Sequence, residues 1–307
     1  KVSLPGGCAI GTRPVDLHLF ALKKLGARIK IKNGYIFASA SNGLKGTKFE
    51  FPSISVGATE NAILAAVQAK GITVIGNCAI EPEIKDLINF LRKLDVKIKV
   101  VGRKITIGGS LIQKKISHKI ICDRIELGTY LVAGALIAKK IKLKNIDPTL
   151  IKKEIGILKK MGVKMKVDQN YIEVYKCKNI KRANITTSPY PGFPTDLQAQ
   201  IMILMTQAKG LSKIKESIFE NRFMHVPELK RMGAKIEIHN NTAYVHGPCF
   251  LTGAEVMATD LRASVSLVLA ALIANKRTKI NRIYHLDRGY QDLEKKLVEC
   301  KAEISRV

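Results

Sequence analysis

Pro5-Gly6-Gly7-Cys8 is followed within a few residues by Arg13-Pro14-Val15-Asp16-Leu17, so one short stretch holds a thiol, a guanidinium and a carboxylate. A cysteine just ahead of a helix start feels the positive end of the dipole, which favours its thiolate. The alternative is a buried, inert thiol, since free cysteine is among the most buried residue types. The flanking glycines and Arg13 argue for chemistry. Pro14 suits the first helical position, where a missing N–H costs nothing, and Gly26 after Leu25 is a candidate C-cap. Asp196 follows Thr195, a natural N-cap, at the start of a helix expected over 196–207. There a carboxylate either complements the helix dipole or serves as a general base. Asp260 and Arg262 open a later helix in the same way, and Arg288 stands beside Gly289. Ser55-Val56-Gly57 precedes a helix expected over 59–70, and free N–H groups there either suit a phosphate or are simply capped.

The elements that hold these residues repeat. Leu25-Gly26-Ala27-Arg28-Ile29-Lys30-Ile31 returns as Leu94 to Val100, Met161 to Val167 and Met232 to Ile238, with a weaker copy at Cys300 to Ile304. Each copy follows an amphipathic helix and opens an alternating strand. The first four then turn at Asn33-Gly34, Gly102, Gln169-Asn170 or Asn240-Asn241 into a second strand, as hairpins do. Apolar helices rich in small residues begin near Thr59, Glu126, Asp196 and Asp260, and helices without a polar face must be buried. The unit is helix, strand, helix and hairpin, with a period of roughly 65–71 residues. The first unit enters only at its second helix. If units come in threes, about 100 residues are expected ahead of Lys1, an extrapolation from the repeat. A domain boundary is expected near Ser117 to Asp123, giving domains 1–121 and 122–307.

With 307 residues and 46% hydrophobic content, the chain can bury two substantial cores. It has no apolar run long enough to span a bilayer and no signal-peptide pattern, so no membrane association is expected. The six cysteines are widely spaced without a CxxC pair, and the six histidines lack metal-ligand spacing. No metal or cofactor is expected, and a reduced, cytoplasmic setting fits. The formal charge of +27 raises nucleic-acid binding as a competitor. The lysines are scattered, tryptophan is absent and no nucleic-acid motif occurs, so no nucleic-acid partner is expected.

Taken in order, the motifs resemble the UDP-N-acetylglucosamine enolpyruvyl transferases over essentially the whole chain. They are Leu4 to Cys8, Gly11 to Leu17, Ser55 to Thr59, Glu81-Pro82-Glu83, Phe193 to Gln200, Phe219 to His225, Ala258 to Ser264 and His285 to Tyr290. The resemblance implies an α/β fold, a two-domain inside-out barrel of helix–strand–helix–hairpin units, here N-terminally truncated. It implies a transferase that moves enolpyruvyl from phosphoenolpyruvate to the 3′-hydroxyl of UDP-N-acetylglucosamine, the first committed step of peptidoglycan precursor synthesis. Cys8 matches the family's proton donor, the thiol that fosfomycin alkylates, and Asp196 matches the favoured general base. Arg13, Pro14, Val15, Asp16, Leu17, Ser53, Ile54, Ser55, Val56, Gly57, Asp196 and Ile218 match positions lining the nucleotide sugar. Arg13, Asp260, Arg262 and Arg288 match positions that hold or support phosphoenolpyruvate. Ser53 departs from relatives that carry a basic residue there, which implies a weaker grip on the diphosphate. The family's early Lys-Asn pair has no counterpart in the chain, so a separate N-terminal piece is one implied partner. A non-catalytic remnant that binds nucleotide sugar or a protein is the alternative. The sister transferase acting on shikimate 3-phosphate is disfavoured, because it works without the cysteine loop.

Overall fold

The computed structural model describes residues 1–5, 14–110 and 114–306. Among them one local plan recurs. The chain opens with β1 (Val2–Ser3), α1 (Asp16–Lys24) and the hairpin of β2 (Arg28–Lys32) and β3 (Tyr35–Ser39). The next segment has β4 (Lys48–Glu50), α2 (Val56–Val67), β5 (Ile72–Gly76), α3 (Pro82–Lys93) and the hairpin of β6 (Ile98–Val101) and β7 (Lys104–Gly108). The third has α4 (Arg124–Leu136), β8 (Ile141–Lys144), α5 (Lys152–Lys160) and the hairpin of β9 (Met165–Val167) and β10 (Tyr171–Val174). The fourth begins with β11 (Asn184–Thr186) and a 3-10 turn, Thr195–Leu197, that runs into α6 (Gln198–Thr206). It continues with β12 (Gly210–Lys215), α7 (Val226–Arg231) and the hairpin of β13 (Lys235–His239) and β14 (Thr242–Gly247). The fifth has β15 (Glu255–Met257), α8 (Leu261–Ile273), β16 (Lys279–Asn281), a 3-10 turn at Ile283–Arg288 and α9 (Leu293–Glu299).

The sheets make the repeat explicit. The orders β4-β5-β7-β6 and β11-β12-β14-β13 are the same, each with one parallel pair followed by two antiparallel pairs. The sheets β1-β3-β2 and β8-β10-β9 keep that order without its first strand. Hence β1 stands where β5 stands in its own sheet, and the first unit contains a strand ahead of its second helix, contrary to the expectation that it enters at the helix. The fifth copy also departs from expectation. Residues 302–306 form no strand, because Ala302 and Ile304 pack instead on a small cluster around Tyr290, Leu293 and Leu297.

Helix ends correct two further expectations. Asp16 is the first helical residue of α1 and Val15 its N-cap, so Pro14 precedes the cap rather than occupying the first turn. At the other end Gly26 takes φ +97° after the C-cap Leu25, and its N–H and that of Ala27 close on Lys23 and Leu22. Such a left-handed exit is open to glycine at little cost. Helix α2 starts three residues earlier than expected because the Ser55 side chain caps it, accepting from the Ala58 N–H at 3.3 Å.

Contacts divide the chain into two compact units. One gathers the described residues as far as Ile121 together with Pro189–Pro191, and the other takes Cys122–Ser188 and the residues from Gly192 onward. The first has its core at Leu25, Phe49, Phe51, Ile63, Ile75 and Ile105. The second packs Leu131, Met202, Leu204, Val245 and Leu267. Fully burying one such side chain is worth about 1.5–3 kcal/mol, so these cores, to which the hairpin strands contribute Ile105 and Val245, supply the stability. In the second unit the apolar helices α4, α6 and α8 pack on one another, and every residue of α6 is buried. Among the described residues no helix is long and apolar enough to cross a membrane.

Candidate functional site

Asp196 occupies the 3-10 turn that leads into α6, a turn held from two sides. Leu197 fits a notch at Gly128 of α4, where an added Cβ would lie 2.5 Å from the Leu197 Cδ1. Thr195 does not cap the helix as expected. Pro194 is the N-cap and Thr195 is itself the first residue of the turn, while its hydroxyl donates to the buried Glu216 Oε2 at 2.8 Å.

The Asp196 carboxylate lies between two guanidiniums. The Arg222 Nη2 donates to its Oδ1 at 2.5 Å and the Arg262 Nη2 to its Oδ2 at 3.2 Å. Burial alone would push the carboxyl up, but Arg262 and then Arg222 outweigh it and hold the carboxyl below its ordinary value. The side chain keeps 39% of its surface exposed, so it remains open to a ligand. Arg222 is itself buried and Arg262 nearly so. Two guanidiniums against one carboxylate leave the trio positive, which suits an anionic ligand.

Behind Arg262 lies a network supplied by all three buried helices. Its Nη1 donates to the Tyr290 hydroxyl at 3.2 Å, and that hydroxyl also meets the Thr129 Oγ1 of α4 at 2.9 Å and the Gln200 Nε2 of α6 at 3.3 Å. These are residues of the first or second turn of each helix, so the N-terminal ends of α4, α6 and α8 converge here. The positive dipole ends add to the guanidiniums. Asp260 caps α8, its Oδ1 accepting from the Arg262 and Ala263 N–H groups at 2.8 and 3.0 Å. His225 is fully buried, and desolvation pulls its imidazole down to about 4 against the opposing pull of Asp260, so it is neutral at pH 7. Arg288 is exposed at the end of its 3-10 turn and joins no contact of the trio among the described residues.

Of the other expected site residues, Ile218 belongs to this unit. Its N–H donates to the Glu216 Oε1 at 2.8 Å, the same carboxylate that holds Thr195. In the first unit Pro14–Leu17 and Ser53–Gly57 come together, since the α2 residue Gly57 lies against His18 of α1, where a Cβ would meet the His18 Cε1 at 3.3 Å. Pro14, Asp16 and Ser53 are exposed, and Val15, Leu17, Ile54, Ser55 and Val56 partly so. Cys8 and Arg13 lie outside the described residues. Among the described residues of this unit the Cys78 thiol is buried and pushed up to about 12 by desolvation, the reverse of an activated one. On α2, burial and then Glu83 and Glu81 push the Glu60 carboxyl up, and the buried Glu81 accepts the Tyr190 N–H at 3.4 Å.

Sequence reasoning assigned no role to Arg222, Glu216, Tyr290, Gln200 or Thr129. Arg222, Gln200 and Tyr290 stand inside the quoted motifs, which was the available signal. Glu216 and Thr129 carried none, because only the fold brings a strand end and a helix turn to these places.

The fold is that of an enolpyruvyl transferase: over residues 1–297 the chain matches the family described as EPSP synthase (3-phosphoshikimate 1-carboxyvinyltransferase), and it belongs to that family. Within it, the chain is 58% identical over 308 residues to the UDP-N-acetylglucosamine 1-carboxyvinyltransferase of Pelagibacter ubique (strain HTCC1062), covering 100% of this chain and 74% of the relative. The enzyme of the same name from Rickettsia akari (strain Hartford) is 55% identical with the same coverage. Among solved structures, the enolpyruvyl transferase NikO from Streptomyces tendae superposes with a TM-score of 0.89 at 26% identity, covering 96% of this chain and 73% of that one. EPSP synthase from Acinetobacter baumannii shares the fold, with a TM-score of 0.73 at 19% identity and coverage of 96% and 72%.

Proposed function

We propose that the chain transfers enolpyruvyl from phosphoenolpyruvate to the 3′-hydroxyl of UDP-N-acetylglucosamine, releasing phosphate, the step that opens peptidoglycan precursor synthesis. The observation that carries this reading is the Asp196 carboxylate set between Arg222 and Arg262 where buried helix N-termini converge. The chemistry asks for such a group. The sugar oxygen bonds to C2 of the enol, a proton reaches C3, and the hydroxyl proton needs an acceptor. Loss of a proton from C3 and departure of phosphate then restore the double bond.

Asp196 is the proposed acceptor and Cys8 the proposed donor to C3; groups so placed typically contribute about 10²–10⁴-fold each. Arg262, with Arg13 and Arg288, is proposed to hold the carboxylate and phosphate, through charge-assisted hydrogen bonds worth roughly 1.5–3 kcal/mol each. Asp260 supports Arg262 through the cap of α8. The low proton affinity of Asp196 follows from its guanidinium partners, Arg262 foremost. An incoming anion that draws Arg262 away therefore raises the carboxylate's proton affinity, so phosphoenolpyruvate itself readies the base. The nucleotide sugar is assigned to Pro14–Leu17, Ser53–Gly57 and Ile218. The domain 122–307 carries the base and the domain 1–121 the thiol loop.

A phosphate-release assay with both substrates tests the proposal. Asp196→Asn is expected to lower kcat at least about 100-fold, with calorimetric affinity for UDP-N-acetylglucosamine within about threefold of the parent. Unchanged turnover in that variant removes Asp196 from the chemistry. Nucleotide-sugar binding without any phosphate release rejects the catalytic reading in favour of a binding protein.

A further inference from the structure

Glu216 stands at the end of β12 with 2% of its surface exposed, and among the described residues no cation pairs with it. A buried carboxylate persists only where donors satisfy it. Here Oε1 accepts from the Thr187 hydroxyl at 2.9 Å, the Ile218 N–H at 2.8 Å and the Phe219 N–H at 3.3 Å. Oε2 accepts from the Thr195 hydroxyl at 2.8 Å. The Ser217 N–H donates to the Thr187 hydroxyl at 2.9 Å, and the Ser217 hydroxyl donates to the Thr187 carbonyl, so the turn after β12 is fastened to the end of β11. One oxygen thus fixes the turn that presents Ile218, and the other fixes the residue next to Asp196.

We infer that Glu216 is a positioning residue that holds the Asp196 turn and the Ile218–Phe219 turn in one register, so that the acceptor sugar is seated where the base can reach it. The inference rests on the function proposed above for Asp196 and Ile218. Glu216 touches no substrate in this scheme. It acts through Thr195 on one side and through two backbone N–H groups on the other.

The two sides separate by mutation. Thr195→Val removes one hydroxyl while leaving the Ile218 turn fastened. It is expected to lower kcat about tenfold with KM for UDP-N-acetylglucosamine within about twofold, and Thr195→Ser is expected to restore kcat. Glu216→Gln, which cannot accept on both sides, is expected to lower kcat and raise that KM, each about tenfold. A readout that needs no turnover is the titration of the Asp196 carboxyl by carbon NMR. Its midpoint is expected to rise in Thr195→Val, as the turn loosens from Arg222 and Arg262, and to stay put in Thr195→Ser. Parent-like kcat and an unmoved Asp196 titration in Thr195→Val overturn the inference, as does a rise in KM for UDP-N-acetylglucosamine in Thr195→Val as large as its fall in kcat. Failure of the functional reading shows differently, as absent phosphate release in the parent chain. The carboxyl titration still decides the role of Glu216 in that event.

Discussion

At the scale of single residues, the protein keeps its candidate base weak by surrounding it with positive charge. Arg222→Met removes one of the two guanidiniums at similar volume. The Asp196 titration midpoint is then expected to rise, and the acid limb of kcat/KM to move to higher pH with it. The sign follows from the depressed carboxyl, whose ion pairs favour the fold above its unfolded value and lose that contribution as pH falls through the folded one. A midpoint that stays or falls in Arg222→Met contradicts the two-guanidinium account. His225 gives a second pH effect, also in the acid range. Its ordinary value of 6.5 falls to about 4 in the fold, so the neutral ring favours the folded state above 6.5 and that advantage drains away between 6.5 and 4. The loss over that window is on the order of 3 kcal/mol. Urea unfolding at pH 7 and pH 4.5 should show a steeper decline in the parent than in His225→Gln, which has no ring to titrate. Equal declines would assign the acid sensitivity to other groups.

At the scale of elements, the site depends on helices fitting closely at their N-terminal ends. Gly128→Ala sets a methyl group against Leu197, one residue from Asp196. Overpacking of this kind costs typically about 1–3 kcal/mol, and here it also tilts the turn that bears the base. Turnover is expected to fall further than urea stability implies, and the double change Gly128→Ala with Leu197→Ala is expected to recover part of the activity. Strict additivity of the two changes would show that the notch does not position the turn. These elements differ in how readable they were. The buried helices and hairpin turns follow from small-residue apolar runs and from pairs such as Asn33-Gly34, which are local signals. Asp196, Asp260 and Arg262 were legible because motifs mark them at helix starts. The role of Thr195 was not, since a threonine before a helix reads as a cap, whereas here Pro194 is the N-cap and the Thr195 hydroxyl donates to an acceptor brought by a distant strand. Glu216 supplies that acceptor from 21 residues away, and no spacing rule reports it. The fifth copy misled for a related reason. An alternating pattern becomes a strand only beside an edge with free N–H and C=O groups, and Ala302 and Ile304 found apolar neighbours instead.

At the scale of the whole molecule, the excess of 52 lysines and arginines over 25 aspartates and glutamates works at long range, whereas the Asp196 trio works at contact. Diffuse charge raises the local concentration of anions and speeds their arrival, but it does not discriminate between them. Both proposed substrates are anions, so the field should act on the encounter and leave the bound complex little changed. Salt separates the two effects, because free ions screen exposed charges beyond about 8–10 Å at ordinary ionic strength and partly buried pairs much less. Raising salt from about 50 to about 500 mM is therefore expected to slow association of UDP-N-acetylglucosamine severalfold in stopped flow, while its dissociation rate and kcat change by less than about twofold. If dissociation or kcat carried the salt dependence instead, surface lysines would be taking part in the bound complex. Specificity would then rest on the scattered charge rather than on Asp196, Arg222 and Arg262.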